Sequence, residues 1–303
     1  MTPVDVIPEG DSGTVAGTLY LVPVPIGNPR DITLRAIDVL GQVGIVASED
    51  TRHARTLLAP LGIETRLLSY HDHNEEARSP QLIAALREGT DIALVSDGGT
   101  PLVNDPGYRL VTAAIAGGIR VCPLPGTSAT ITALIGSGLP IHRFHYVGFL
   151  PRKAAARRSA LGEVRTIDAA LVFFEAPHRL AATVLDMHEV LGDRPAALAR
   201  NLTKADEAFS RGTLAGLAAG LAAQQDIRGQ YTIVVGGAGE EIRDDMQLLA
   251  DRLADALLRH GADSRLAREV VREVTGLSRN WVYERVALAG KNGQQPGIGG
   301  LTP

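Results

Sequence analysis

Short unbroken apolar runs alternate with stretches of helical periodicity through most of this chain of 303 residues. Leu19–Val24, Gly44–Ser48, Thr65–Tyr70, Asp91–Ser96 and Ile119–Cys122 read as strands, Asp91–Ser96 as one of the buried apolar type. Helical patterns separate them over 32–42, 53–60, 79–88 and 106–117, with Asp31 and Ser79 as expected caps. The rhythm restarts after Leu124-Pro125-Gly126-Thr127-Ser128, with helices over 128–137, 153–162 and 177–191 and strands over 144–149, 169–174, 196–200 and 230–236. Strand–helix alternation predicts βαβ units and a mainly parallel sheet in the first half. The later strands lie closer together in sequence, which predicts antiparallel pairing there.

After Gly236-Gly237-Ala238-Gly239 the pattern becomes purely helical, and Gly261, Gly276 and Gly290 are the expected ends of three helices. Leu266 to Tyr283 has helix-turn-helix rhythm. The expected organisation is an arm over 1–17, an α/β domain over 18–124, a second over 125–239, a helical module over 240–290 and a tail over 291–303.

Composition narrows the class. Apolar residues make up 45% and charged residues 21%, ordinary for a water-soluble globular chain, and aromatics only 4%, so Ala, Leu and Val must fill the cores. The net charge of −4 excludes a globally basic nucleic-acid coat but leaves room for a local basic groove. Cys122, the single cysteine, excludes an intramolecular disulfide and a cysteine-rich zinc site, and reads as a small core residue. The N-terminus lacks the pattern of a secretory signal and no apolar run is long enough to span a bilayer, so a cytoplasmic protein is expected.

The candidate chemistry sits at expected strand ends. Val95 to Gly107 opens as a strand and breaks into Gly98-Gly99 flanked by Asp97 and Thr100, which reads either as a ligand cradle or as a tight surface turn. Glu49-Asp50-Thr51-Arg52 and Glu175-Ala176-Pro177-His178-Arg179 set acid beside base, or simply cap helix starts. His71-Asp72-His73 could ligate a metal, but the missing third and fourth ligands favour a polar loop and no metal is expected. Arg152, Lys153, Arg157 and Arg158 form a run without acids, of which Arg152, Lys153 and Arg157 could share one helical face, for phosphate or for solvent. Over 263–286 the five arginines Arg265, Arg268, Arg272, Arg279 and Arg285 face the four acids Asp263, Glu269, Glu273 and Glu284, so charge alone does not make that module a polyanion binder. A P-loop, a G-x-G-x-x-G after the first strand and a G-x-S-x-G elbow are all missing.

Leu19 to Asn28, Glu49 to Arg52, His71 to Glu75, Ser96 to Gly107, Leu124-Pro125-Gly126, Gly148 to Pro151, Glu175 with His178-Arg179, and Leu202-Thr203-Lys204 occur in this order. In that arrangement the chain resembles the bacterial small-subunit rRNA cytidine 2′-O-methyltransferases, a branch of the tetrapyrrole methylase superfamily. The resemblance covers about 18–290. It implies a two-domain α/β fold with S-adenosylmethionine in a cleft between the halves, a helical module after them, a homodimer, and as target cytidine 1402 in the decoding centre of 16S rRNA. Three departures are Gly99 for the family's Ala, Thr127 for its second Pro, and Asn201 for its Glu.

The resemblance implies cofactor contacts from Ser96, Asp97, Gly98, Gly99, Thr100, Leu102, Val103, Thr127, Ser128 and Ala129. It places Ile26, Gly27, Asn28, Glu49, Arg52, His73, Asn74 and Glu75 on the acceptor side, with Asp50 or His71 as proton acceptor. Arg152, Lys153, Arg157, Arg158, Glu175, His178 and Arg179 complete the expected RNA-facing set. Two rival functions remain open at this stage: a methyltransferase acting on a tetrapyrrole, and a non-enzymatic nucleic-acid-binding regulator suggested by 263–286.

Overall fold

The computed structural model describes residues 16–292, without the side chains of 240–245 and 290–292, so most of the expected arm and tail lies outside the described residues. The chain divides into two compact units: one holds the described residues up to Thr132 together with Leu202–Ala205, the other Ala133–Asn201 and Asp206 onward.

The first unit runs β1 (Leu19–Leu21), α1 (Leu34–Gln42), β2 (Ile45–Ser48), α2 (Thr51–Leu58), β3 (Leu67–Ser69), α3 (Glu75–Arg87), β4 (Ile92–Val95), α4 (Tyr108–Ala116), β5 (Val121–Pro123) and into α5 (Ala129–Ser137). Its sheet has the order β3-β2-β4-β1-β5 and is parallel throughout, as the alternation predicts. Two apolar clusters cover its faces. Leu82 and Leu86 of α3 pack with Leu110 and Ala114 of α4 on one side, and Ala36, Leu40 and Leu58 from α1 and α2 pack on the other. Strands clad on both faces have no polar side, which is why they read as unbroken apolar runs.

The second unit contains β6 (Phe144–Phe149), α6 (Ala154–Val164), β7 (Ala170–Glu175), α7 (Pro177–Leu191), β8 (Pro195–Arg200), β9 (Ala208–Thr213), α8 (Leu214–Ala222) and β10 (Tyr231–Val235). The order is β6-β7-β10-β8-β9, with β6 and β7 parallel and every other pair antiparallel. The antiparallel expectation holds, but β9 and α8 were not foreseen. β9 is an edge strand exposed along almost its whole length, so it carries no apolar alternation. The helices α9 (Glu240–Arg259), α10 (Ser264–Thr275) and α11 (Arg279–Asn292) follow and share a cluster around Ala254, Ala267, Val271 and Val282.

Three local expectations are corrected. Thr33, not Asp31, caps α1: its hydroxyl accepts from the Ala36 N–H, while Asp31 closes a short 3-10 turn. Ser79 lies inside α3, where its hydroxyl donates back to the Glu75 carbonyl at 2.6 Å. Gly276 ends α10, but α11 continues through Gly290 to Asn292.

Candidate active site at the strand ends of the first unit

In a parallel sheet all strands point one way, so the loops after β1 to β5 gather at one edge. Chain connections run from β1 toward β2 and from β4 toward β5, in opposite directions across the sheet. The adjacent ends of β1 and β4 are therefore the topological switch point, where open α/β sheets hold ligands. The loop 22–28 follows β1 and the glycine turn follows β4.

The turn is pinned to its neighbours. Gly99 and Val24 exchange main-chain hydrogen bonds, Gly99 N–H to Val24 O at 2.8 Å and Val24 N–H to Gly99 O at 2.9 Å. Gly99 sits at φ +87°, in the left-handed region where an Ala pays a steric cost. Thr100 donates to the Thr127 carbonyl at 2.8 Å, and Thr127 donates to the Val24 carbonyl. Both hydroxyl protons are thus spent on the walls of the turn. The Gly99 amide is engaged as well, whereas the exposed Gly98 accepts from Ser96 Oγ at 3.4 Å and its N–H has no partner among the described residues, which leaves it as the glycine amide open to a ligand. Leu102 packs against the core cluster and, with Asn104, holds a positive φ, at +71° and +67°. Val103 is half-buried in the same turn, and Ser128 caps α5 just ahead of Ala129, its Oγ accepting from Ile131 N–H at 3.4 Å.

Carboxylates crowd this edge. Asp97 accepts the Asp50 N–H at 3.0 Å, tying the ends of β2 and β4 together. Burial raises the Glu49 carboxyl above the usual range, and Asp97, Asp105, Asp72 and Asp50 add to the effect. Asp105 is pushed up to about 6, by burial first and then by Asp97 and Asp72, against a hydrogen bond from Ser96. Asp105 was not foreseen; its only sequence signal is its place in the turn. Among the described residues no three His, Cys, Asp or Glu side chains are grouped to hold a metal.

The two expected proton acceptors are both committed elsewhere. The Arg52 guanidinium, at 2.7 Å from Oδ2, holds Asp50 well below the carboxylate range. Asn74 clamps His71: its Oδ1 accepts the His71 N–H at 2.9 Å, and its Nδ2 faces the Ser69 carbonyl at 3.2 Å and His71 Nε2 at 3.1 Å. An amide nitrogen only donates, so neutral His71 accepts at Nε2 and carries its proton on Nδ1, which is buried without a partner. His73 stacks edge-on against it, with ring centres 5.9 Å apart, and Glu75 lies 3.6 Å from Arg109. Ile26, Gly27 and Asn28 lie in the loop after β1, where the Asn28 side chain accepts the Arg30 N–H at 3.1 Å.

The remaining expected residues belong to the second unit and do not form one basic face. Arg157 is only 6% exposed, with Nε 2.6 Å from Asp186 Oδ2, because α6 turns it inward against α7. Arg158 bonds Asp186 at 2.7 Å and Glu189 at 3.0 Å. Arg179 reaches the Leu150 and Pro151 carbonyls at 2.9 and 3.1 Å. Glu175 is buried, accepting from Ala176 N–H at 2.8 Å and Thr183 Oγ1 at 2.6 Å. Arg152 and Lys153 stand exposed, with no carboxylate partner among the described residues, and His178 is exposed too.

Residues 18–218 match the family model of the Tetrapyrrole (Corrin/Porphyrin) Methylases. The chain is 66% identical over 274 residues to the ribosomal RNA small subunit methyltransferase I of Micromonospora olivasterospora, covering 90% of this chain and 88% of that protein. It is 45% identical over 271 residues to the protein of the same name from Escherichia coli O157:H7, covering 88% and 94%. Among solved structures, the uroporphyrin-III C-methyl transferase of Thermus thermophilus complexed with S-adenyl homocysteine superposes with a TM-score of 0.52 at 22% identity, over 73% of this chain and 97% of that one. A diphthine synthase does so at 0.57 and 17%, over 73% and 90%. At these identities the two structures speak for the fold alone.

Proposed function

The chain belongs to the tetrapyrrole methylase family, and from that premise we propose that it transfers a methyl group from S-adenosylmethionine to small-subunit ribosomal RNA, at the ribose 2′-hydroxyl of cytidine 1402. The observation that carries the reading is the identity of 66% over nine-tenths of the chain with a protein named ribosomal RNA small subunit methyltransferase I. That identity favours RNA over a tetrapyrrole as acceptor and an enzyme over a regulator.

The residues at the switch point fit the methyl donor. When bound, S-adenosylmethionine supplies an activated methyl group on a cationic sulfur. Glu49, Asp72, Asp97 and Asp105 concentrate negative charge that attracts such a cation and repels phosphate. The Gly98 amide and the wall built by Thr100 and Thr127 hold the donor's polar groups in one orientation. Rigid alignment of the acceptor oxygen with the methyl carbon is where most of the acceleration originates.

A ribose hydroxyl must lose its proton as it attacks, and a base with a pKa near the working pH does this best. On this reading the proton acceptor is Asp105, whose carboxyl is pushed up to about 6. Asp50 is too weak a base beside Arg52, and His71 in its clamped tautomer is a donor. Arg152 and Lys153 hold RNA phosphates. The protein acts as a homodimer in the cytoplasm; no helix among the described residues is long and apolar enough to cross a membrane.

Labelled S-adenosylmethionine offered with small ribosomal subunits, and separately with uroporphyrinogen, tests the reading. Label in the rRNA, mapped to a 2′-O-methylcytidine, is the expected result. Label in the tetrapyrrole alone, or in neither, overturns it.

A further inference from the structure

Leu202–Ala205 follows β8 in sequence yet belongs to the first unit. Asn201 closes the base of this excursion: its Nδ2 donates to Asp206 Oδ2 at 2.7 Å, and its Oδ1 accepts the Gln230 N–H at 2.9 Å. A glutamate there could not donate to Asp206, so the departure at 201 has a local structural reason.

The excursion lies on the loop after β1. Thr203 Oγ1 accepts the Asn28 N–H at 3.0 Å. A Cβ placed on Gly27 would meet Lys204 Cγ at 2.6 Å and both the Leu202 carbonyl oxygen and Thr203 Oγ1 at 2.8 Å, so only glycine allows this approach. From the other direction the loop touches the glycine turn, where a Cβ on Gly99 would lie 3.3 Å from Ile26 Cγ2. Ile26–Asn28 is therefore held between two pieces of chain remote in sequence.

Both pieces carry backbone strain. Among the described residues, the non-glycine positions with positive φ are Leu102, Asn104, Asn201 at +49° and Thr203 at +65°. A β-branched residue such as Thr203 is an outlier there, and such strain persists where the surroundings over-determine it, commonly beside functional sites.

We propose that Leu202–Lys204 is a strap that orients the loop Ile26–Asn28 toward the acceptor nucleotide, with Thr203 as a positioning residue acting through the Asn28 amide. The proposal rests on the reading above, in which this loop lines the acceptor side. The strap fixes the peptide at Asn28, and the Asn28 side chain starts the turn that follows, so one hydroxyl sets the direction of the whole loop. The walls built by Thr100 and Thr127 do not depend on it.

Thr203→Val keeps the side-chain shape and removes the acceptor oxygen, whereas Thr203→Ser retains it. The full chain is assayed for methyl transfer to small ribosomal subunits, for S-adenosylmethionine affinity by calorimetry and for thermal melting. Thr203→Val is expected to lower kcat/KM for the subunit about fivefold or more, the factor one neutral hydrogen bond supplies, with donor affinity unchanged and Tm lowered no more than by Thr100→Val. Thr203→Ser restores the rate. A wild-type rate in Thr203→Val overturns the strap, as does a rate loss matched by losses of donor affinity and Tm. Wild-type protein that transfers no methyl to subunits sinks the underlying reading, and the strap with it.

Discussion

The hydroxyl of Thr100 donates to the main-chain carbonyl of Thr127, 2.8 Å away and 27 residues on. Because Thr127 itself donates to the Val24 carbonyl, the loops after β4, β5 and β1 form one hydrogen-bonded unit. Thr100→Val and Thr127→Val each remove one donor from a partly buried carbonyl. Each is expected to cost about 1 kcal/mol of stability, read from urea unfolding. Donor affinity should fall several-fold in both, read by calorimetry, because the cradle loses its preorganisation.

Asp105 gives the pH dependence a definite sign. Its carboxyl is raised from 3.8 to about 6 in the folded chain, so the native state holds that proton more tightly than the unfolded state. The contribution to stability is complete below the unfolded pKa and is lost as pH rises through 6. Asp105→Asn should flatten that loss, by about 1 kcal/mol after discounting for partial solvent exposure. The same ionisation should tighten S-adenosylmethionine binding between pH 5 and pH 7 and set the acid limb of kcat/KM. A variant with the wild-type pH–rate profile and rate removes Asp105 as proton acceptor.

The basic residues of α6 should separate by burial. Arg157→Met leaves Asp186, itself buried, with Arg158 as its one remaining guanidinium, and is expected to cost about 3 kcal/mol in denaturant unfolding. Arg152→Ala with Lys153→Ala should leave stability unchanged and weaken binding to small subunits. The slope of log affinity against log salt should become shallower by about 1.5, the value for two lost phosphate contacts. An unchanged slope excludes these two residues from the RNA surface.

Glu175 is expected to behave as a structural acid. Its oxygens accept from Ala176 N–H and Thr183 Oγ1 and lie 3.4 Å from Arg179 Nε. Glu175→Ala orphans these donors in the interior and should cost about 3 kcal/mol, with RNA affinity per folded molecule unchanged.

The first unit was legible because helices cover both faces of its sheet and the central strands Ile45–Ser48 and Ile92–Val95 are buried throughout, so they appear as apolar runs between helical stretches. The edge strand Ala208–Thr213 was not, since an exposed ribbon leaves no periodic trace. Motif order was enough to indicate the family and the loops that matter. What sequence spacing could not supply was the state of each polar group. Asp50 and Arg157 look available as letters, but one is paired with a neighbour two residues away and the other with a carboxylate 29 residues on. Thr203 comes to hold Asn28, 175 residues earlier in the chain. Buried strands and most helices follow from local periodicity, which the sequence contains. Hydrogen-bond partnership, burial and basicity depend on atoms brought together only when the sheet and its loops close, and those the tertiary structure alone decided.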